Sequence, residues 1–277
     1  MIKSTLWIYG DSFAGADYEV EWKPWYQLLA DQLGMRLINL GKSGSSHAYT
    51  LYEIMRTHNE WTNSDLVIVT MTKVERTWLI EELPQIGSLS TLESVLKHYN
   101  DYEIFRKNKK KTEAVVQYYT ELFNEKQQRT NSQAFLFSIN YLGRKLKNKP
   151  LVFPSSNDIL EENFIWPEGI FTIDRSLYSY SLEEFLDPAL EYIYMKNTGM
   201  DMRCNHFIQD NHRRLVNSFI SYIESGSFEI NLIKGIITLE TMMDPIFRKE
   251  QFATLSDVEI KGMQSASREY RKNISSE

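Results

Sequence analysis

The sequence predicts an α/β protein built on a parallel sheet, and three observations carry that expectation. Short apolar, β-favouring runs at 4–9, 35–40 and 65–71 alternate with helical patterns at 24–33 and about 45–61. The third run, Asp65-Leu66-Val67-Ile68-Val69-Thr70-Met71, is nearly continuous in apolar residues, as a strand covered on both faces should be. Strand, helix, strand, helix, strand at this spacing describes right-handed βαβ units.

Each element has its own justification. Leu6-Trp7-Ile8-Tyr9 stops abruptly at Gly10-Asp11-Ser12, a strand giving way to a turn. In 24–33 the residues Trp25, Leu28, Leu29 and Leu33 share one helical face, with Pro24 suited to the first turn and Gly34 placed to end the helix. Ser45 or Ser46 is positioned to cap the next helix. Residues 77–147 are charged and mostly helical in pattern, broken around Pro84 and Gly87, and predict a helical insertion or lid. Pro150-Leu151-Val152-Phe153 then resumes the sheet. Residues 157–200 are irregular and aromatic, which fits either packing beneath long loops or a substrate-facing wall. A closing helix is expected over 205–224, with Leu215, Phe219 and Tyr222 on one face, and 226–277 reads as a C-terminal extension.

Composition narrows the functional classes. A chain of 277 residues is long enough for a sizeable core. The formal charge of −6 argues against general nucleic-acid binding, which needs a basic footprint. The one basic run, 106–111, lies in a helical pattern and reads as a solvated face. A single cysteine, Cys204, leaves no internal disulfide and no cysteine-based zinc cluster. No apolar run approaches the roughly eighteen residues that cross a membrane, and no leader precedes the first strand, so a cytoplasmic protein is expected. Gly41-Lys42-Ser43-Gly44 lacks the spacing of a phosphate-binding loop, and no dinucleotide fingerprint follows the first strand.

Parallel sheets bind ligands at the carboxyl ends of their strands. Three loops are expected there: Gly10-Asp11-Ser12-Phe13, the stretch 39–46, and Thr72-Lys73-Val74-Glu75-Arg76. A serine at a strand end is a nucleophile only with a base to take its proton and donors for the oxyanion. Of the five histidines, His58 and His98 lie in helical patterns away from these loops. His47 opens a helix beside the second loop, where a site role and a helix-start role both fit. His206 and His212 lie just before or within the closing helix.

These pieces, in this order, resemble the SGNH (GDSL-like) hydrolase superfamily. The resemblance rests on Gly10-Asp11-Ser12-Phe13 after an apolar strand, on 39–44 after the second, on the strand 65–71, and on a histidine five residues before Asn211, where the family usually has glycine. It covers roughly 4–76 and 148–224, within a domain at 1–225. It implies a three-layer α/β/α, flavodoxin-like fold with a mostly parallel sheet of about five strands. It also implies that Ser12 is the nucleophile, His206 the general base, and the N–H groups of Ser12 and Gly44 oxyanion donors. The activity implied is an esterase or O-deacetylase acting on a small-molecule or glycan ester through an acyl-enzyme, with no metal or cofactor.

Two departures from the family pattern matter. Its third segment supplies an asparagine where this chain has Val74, for which Thr72, Lys73 or Arg76 would have to substitute. The family's aspartate three residues before the histidine is Arg203 here, leaving Asp201 or a backbone carbonyl to orient His206. Arg76 suits an anionic substrate or a bridge to a carboxylate. The third segment ending Glu75-Arg76, and Asn205-His206, are similar to divergent SGNH-like proteins of tailed phages, which implies a virion-associated alternative. An inactive binding or structural protein of this fold is the second reading, with 77–147 or 226–277 as surfaces for a protein partner.

Overall fold

The structure, a computed structural model, describes residues 4–15, 23–79, 109–156, 159, 163–173, 176–177 and 209–229. The expectations for His98, Asp201, Arg203, Cys204 and His206, for the aromatics at 178–194 and for most of the C-terminal extension lie outside these residues.

Among the described residues there are four strands, β1 (Thr5–Gly10), β2 (Arg36–Asn39), β3 (Leu66–Met71) and β4 (Leu151–Pro154), all parallel and ordered β2-β1-β3-β4. The chain is therefore α/β with a parallel sheet. Among the described residues five α-helices accompany the strands: α1 (Trp25–Leu33), α2 (His47–Thr57), α3 (Lys109–Glu121), α4 (Glu125–Leu142) and α5 (Gln209–Ser225). Among the described residues a fifth strand is represented only by a single parallel bridge from Phe171 to Leu151 on the outer side of β4. Two backbone bonds make it, Val152 N–H to the Phe171 carbonyl and Phe171 N–H to the Pro150 carbonyl, each 2.8 Å.

The chain divides into two compact units, 1–17 with 30–177, and 18–29 with 178–277. The first holds the sheet. β1 and β3 are buried at every position, as central strands of a parallel sheet are. One face of the sheet, carrying Trp7, Tyr9, Val67, Val69, Met71 and Val152, packs with Ile54 and Trp61 from the α2 region and with Phe135, Leu136 and Ile139 of α4. The end of the segment expected to be an insertion thus supplies a core helix: α4 is polar overall, but Phe135, Leu136 and Ile139 are turned to the sheet, while Phe137 and Tyr141 lie on its exposed side. Phe164 and Trp166 pack against the same cluster, as does the buried Val74.

Ser46 caps α2, its hydroxyl accepting the Tyr49 N–H at 3.3 Å. At the amino ends of the strands the carboxylate of Asp65 accepts from Thr5 N–H (2.8 Å), Trp7 Nε1–H (3.0 Å), Thr62 N–H (2.9 Å) and the Thr62 hydroxyl (2.9 Å). Burial would push this carboxyl up, but the four donors outweigh that and hold it below the usual carboxylate range.

The second unit is organised around an aromatic contact. Trp25 stacks on Phe219 of α5 with ring centroids 5.3 Å apart, and Phe228 meets Phe219 edge-on. His212 Nδ1 accepts the Trp25 N–H at 3.0 Å, satisfying one of the orphan donors at the start of α1. Among the described residues no helix is long and apolar enough to cross a membrane.

Candidate functional site at the carboxyl ends of the strands

The corner after β1 is built by Gly10 and Asp11. Gly10 has φ +123°, and a Cβ there would stand 2.2 Å from Thr70 Oγ1 and 2.3 Å from the Thr70 carbonyl, so only glycine fits. Asp11 N–H donates to Thr70 Oγ1 at 3.1 Å, and the same hydroxyl donates to Asp11 Oδ1 at 3.0 Å. Oδ1 also accepts the Phe13 N–H (3.2 Å), while the Asp11 carbonyl accepts from Ala14 (3.0 Å) and Gly15 (2.7 Å). Asp11, only 3% exposed, therefore closes the turn with both its main chain and its side chain. Ser12 rides on that turn, partly exposed.

The loop after β2 is fastened to this corner. Asn39 Nδ2–H donates to the Ala14 carbonyl (2.7 Å), and its Oδ1 accepts the Gly41 N–H (2.8 Å). The Gly10 carbonyl accepts both the Lys42 N–H (2.8 Å) and the Ser45 hydroxyl (2.9 Å). Gly44, between those two anchors, has φ +73°, the left-handed conformation that glycine adopts without strain. Among the described residues neither the N–H of Ser12 nor that of Gly44 meets an acceptor.

The loop after β3 faces the same corner with charge. Arg76 Nη1–H donates to Thr72 Oγ1 at 2.6 Å and lies 3.6 Å from Asp11 Oδ2. The pair is largely out of water, with 14% of the Arg76 side chain and 4% of the Asp11 side chain exposed, so it is a buried bridge rather than a surface one. Val74 points into the core at 6% exposure and offers no donor. Thr72 is buried, and its carbonyl accepts from His47 Nε2–H at 2.8 Å.

That bond fixes the tautomer of His47. A carbonyl only accepts, so the proton is on Nε2; in the neutral ring Nδ1 is an acceptor 2.7 Å from Ser132 Oγ, whose one proton is shared with the Gln128 carbonyl at 2.9 Å. The ring stacks on Phe135, and burial, joined by the charge of Arg76 and opposed by the Thr72 bond, lowers its pKa to about 4. His47 is thus a neutral strut between α2, α4 and the third loop. Of the other histidines, His58 bonds its own helix through the Met55 carbonyl, and His212 serves α1.

The structure brings Ser12, Thr72 and Arg76 together around Asp11, and Gly44 to the same end of the sheet on the loop tied to the Gly10 carbonyl; His206 and Asp201 lie outside the described residues. Sequence reasoning named Ser12 and Arg76 separately but missed Asp11 as their link. Its partner Thr70 is 59 residues away, a distance no local spacing rule reads. After β4, Ser155 N–H donates to the Met71 carbonyl (2.8 Å), and the buried hydroxyls of Ser155 and Ser156 have no partner among the described residues. No group of three His, Cys, Asp or Glu stands ready for a metal ion among the described residues. No family model matches the chain, and no curated protein matches it.

Proposed function

We propose that the protein is a serine hydrolase of the SGNH type, an esterase or O-deacetylase in which Ser12 attacks an ester carbonyl. The observation that carries this reading is the pair of unaccepted N–H groups, Ser12 and Gly44, on loops tied to one carbonyl oxygen of Gly10. Two backbone donors beside a partly exposed serine at the end of a parallel strand suit an oxyanion forming on the substrate. His206, on sequence resemblance, takes the serine proton, gives it to the leaving alcohol, and then activates the water that releases the acyl group. The partial exposure of Ser12, against the burial of Asp11 and Thr70 beside it, favours a reacting role over a packing one.

The expected outcome is that a fluorophosphonate probe labels Ser12, and that Ser12→Ala abolishes both labelling and turnover of small acetyl esters. A loss of at least 10³-fold in kcat is anticipated from removing a nucleophile. Equal slow turnover by wild type and Ser12→Ala would sink the reading.

A second reading has its own observation. Val74 belongs to the core, so the third loop lacks the side-chain donor of the family pattern. An inactive binding protein of this fold, virion-associated or otherwise, would leave Ser12 unlabelled and form a stable complex in light scattering.

A further inference from the structure

Arg76 is mostly buried, yet it uses only part of its hydrogen-bonding capacity. Nη1 serves Thr72 and Asp11. The opposite, side-on edge of the guanidinium is formed by Nε and Nη2. Among the described residues it meets no acceptor, and Nε is buried. A dehydrated charged donor without an acceptor is costly, and this edge is the fork that takes two oxygens of a carboxylate or phosphate at once.

Asp11 does not compete for that edge. Its Oδ1 already accepts from Thr70 and Phe13, and its Oδ2 faces Nη1. Thr72, fixed from behind by His47, holds Nη1 in turn, so the fork is aimed before anything binds. Asp11 precedes Ser12 directly and lies 3.6 Å from Arg76 Nη1, so Arg76 and the serine belong to one corner of the sheet.

We propose that Arg76 is an anion-binding subsite whose Nε–Nη2 edge receives a carboxylate or phosphate group of the substrate. The chain would then act on acidic esters, whose acyl or alcohol part ends in such a group. The anion site stands on Arg76 alone, whereas the word ester rests on the hydrolase reading above.

Calorimetric titration of the full chain with succinate, and separately with inorganic phosphate, tests the site. At least one of the two binds wild type, and the arms say whether a carboxylate or a phosphate is preferred. Arg76→Lys keeps a charge but loses the fork, and weakens binding by about tenfold or more. Arg144→Gln, which removes an exposed arginine elsewhere, leaves binding unchanged. No binding of either anion to wild type, or equal binding to Arg76→Lys, overturns the proposal. Should the Arg76 variants fail to fold, phenylglyoxal labelling of wild type replaces them: the bound anion protects Arg76 from the reagent, and an unprotected Arg76 overturns the site.

Kinetics separate the two ideas. Monomethyl succinate should be turned over with a kcat/KM at least tenfold above that of methyl butyrate, and the preference should vanish in Arg76→Lys. Turnover without preference removes the subsite and leaves the hydrolase. Anion binding without labelling of Ser12 removes the hydrolase and leaves the subsite.

Discussion

His47 shows how a single buried ring links the third loop to the helices behind it. Its unfolded-state pKa is near 6.5 and its folded one about 4, so the unfolded chain binds more protons between those values. The stability it contributes is therefore complete above pH 6.5 and is lost as pH falls toward 4, by about 3 kcal/mol. Urea unfolding at pH 7 and pH 4.5 should show this loss in wild type, and a much smaller one in His47→Gln. A histidine at the start of a helix was visible in the sequence, with its two roles undecided. Burial decided between them, and burial depends on Phe135 and Ser132, which sit on a helix the sequence assigns to a different part of the fold.

At the scale of elements, the strands were the most legible. β1 and β3 are nearly continuous in apolar residues because both are central, and that pattern survives without knowledge of neighbours. The Ser46 cap and the end of α1 before Gly34 were legible for the same reason, being local chemistry. The helical pattern of α4 was legible but its place in the core was not, because its packed face is a minority of a polar helix and its partner lies on strands far away in sequence. The corner of Gly10 makes the sharpest element-level prediction. In Gly10→Ala the new methyl meets the Thr70 main chain as well as its hydroxyl. Trimming Thr70 therefore gives no rescue, and the variant should lose more than about 2 kcal/mol with its denaturation midpoint falling accordingly.

Across the whole sheet, the two ends are held by different carboxylates. Asp65 joins the starts of β1 and β3 to the turn at Thr62, while Asp11 organises the opposite, carboxyl end of the strands. Because the folded pKa of Asp65 is depressed, its contribution is present above the ordinary carboxylate range and is lost as pH falls through the lowered folded value. Asp65→Asn should cost about 2–4 kcal/mol at pH 7, with the gap to wild type narrowing as pH falls below the ordinary carboxylate range in thermal or urea melts. Such a variant, if folded at low temperature, should keep whatever binding occurs at Arg76, since the residues concerned lie at the other end of the strands.

The carbonyl of Gly10 has one last implication, for how this corner can change over time. It is the common post to which Lys42 and Ser45 are tethered, and it belongs to the turn that carries Ser12. The first and second loops are therefore not separate modules. An insertion that remodels one alters the geometry of the other, so changes in length are more easily accommodated by the segments that do not share this oxygen.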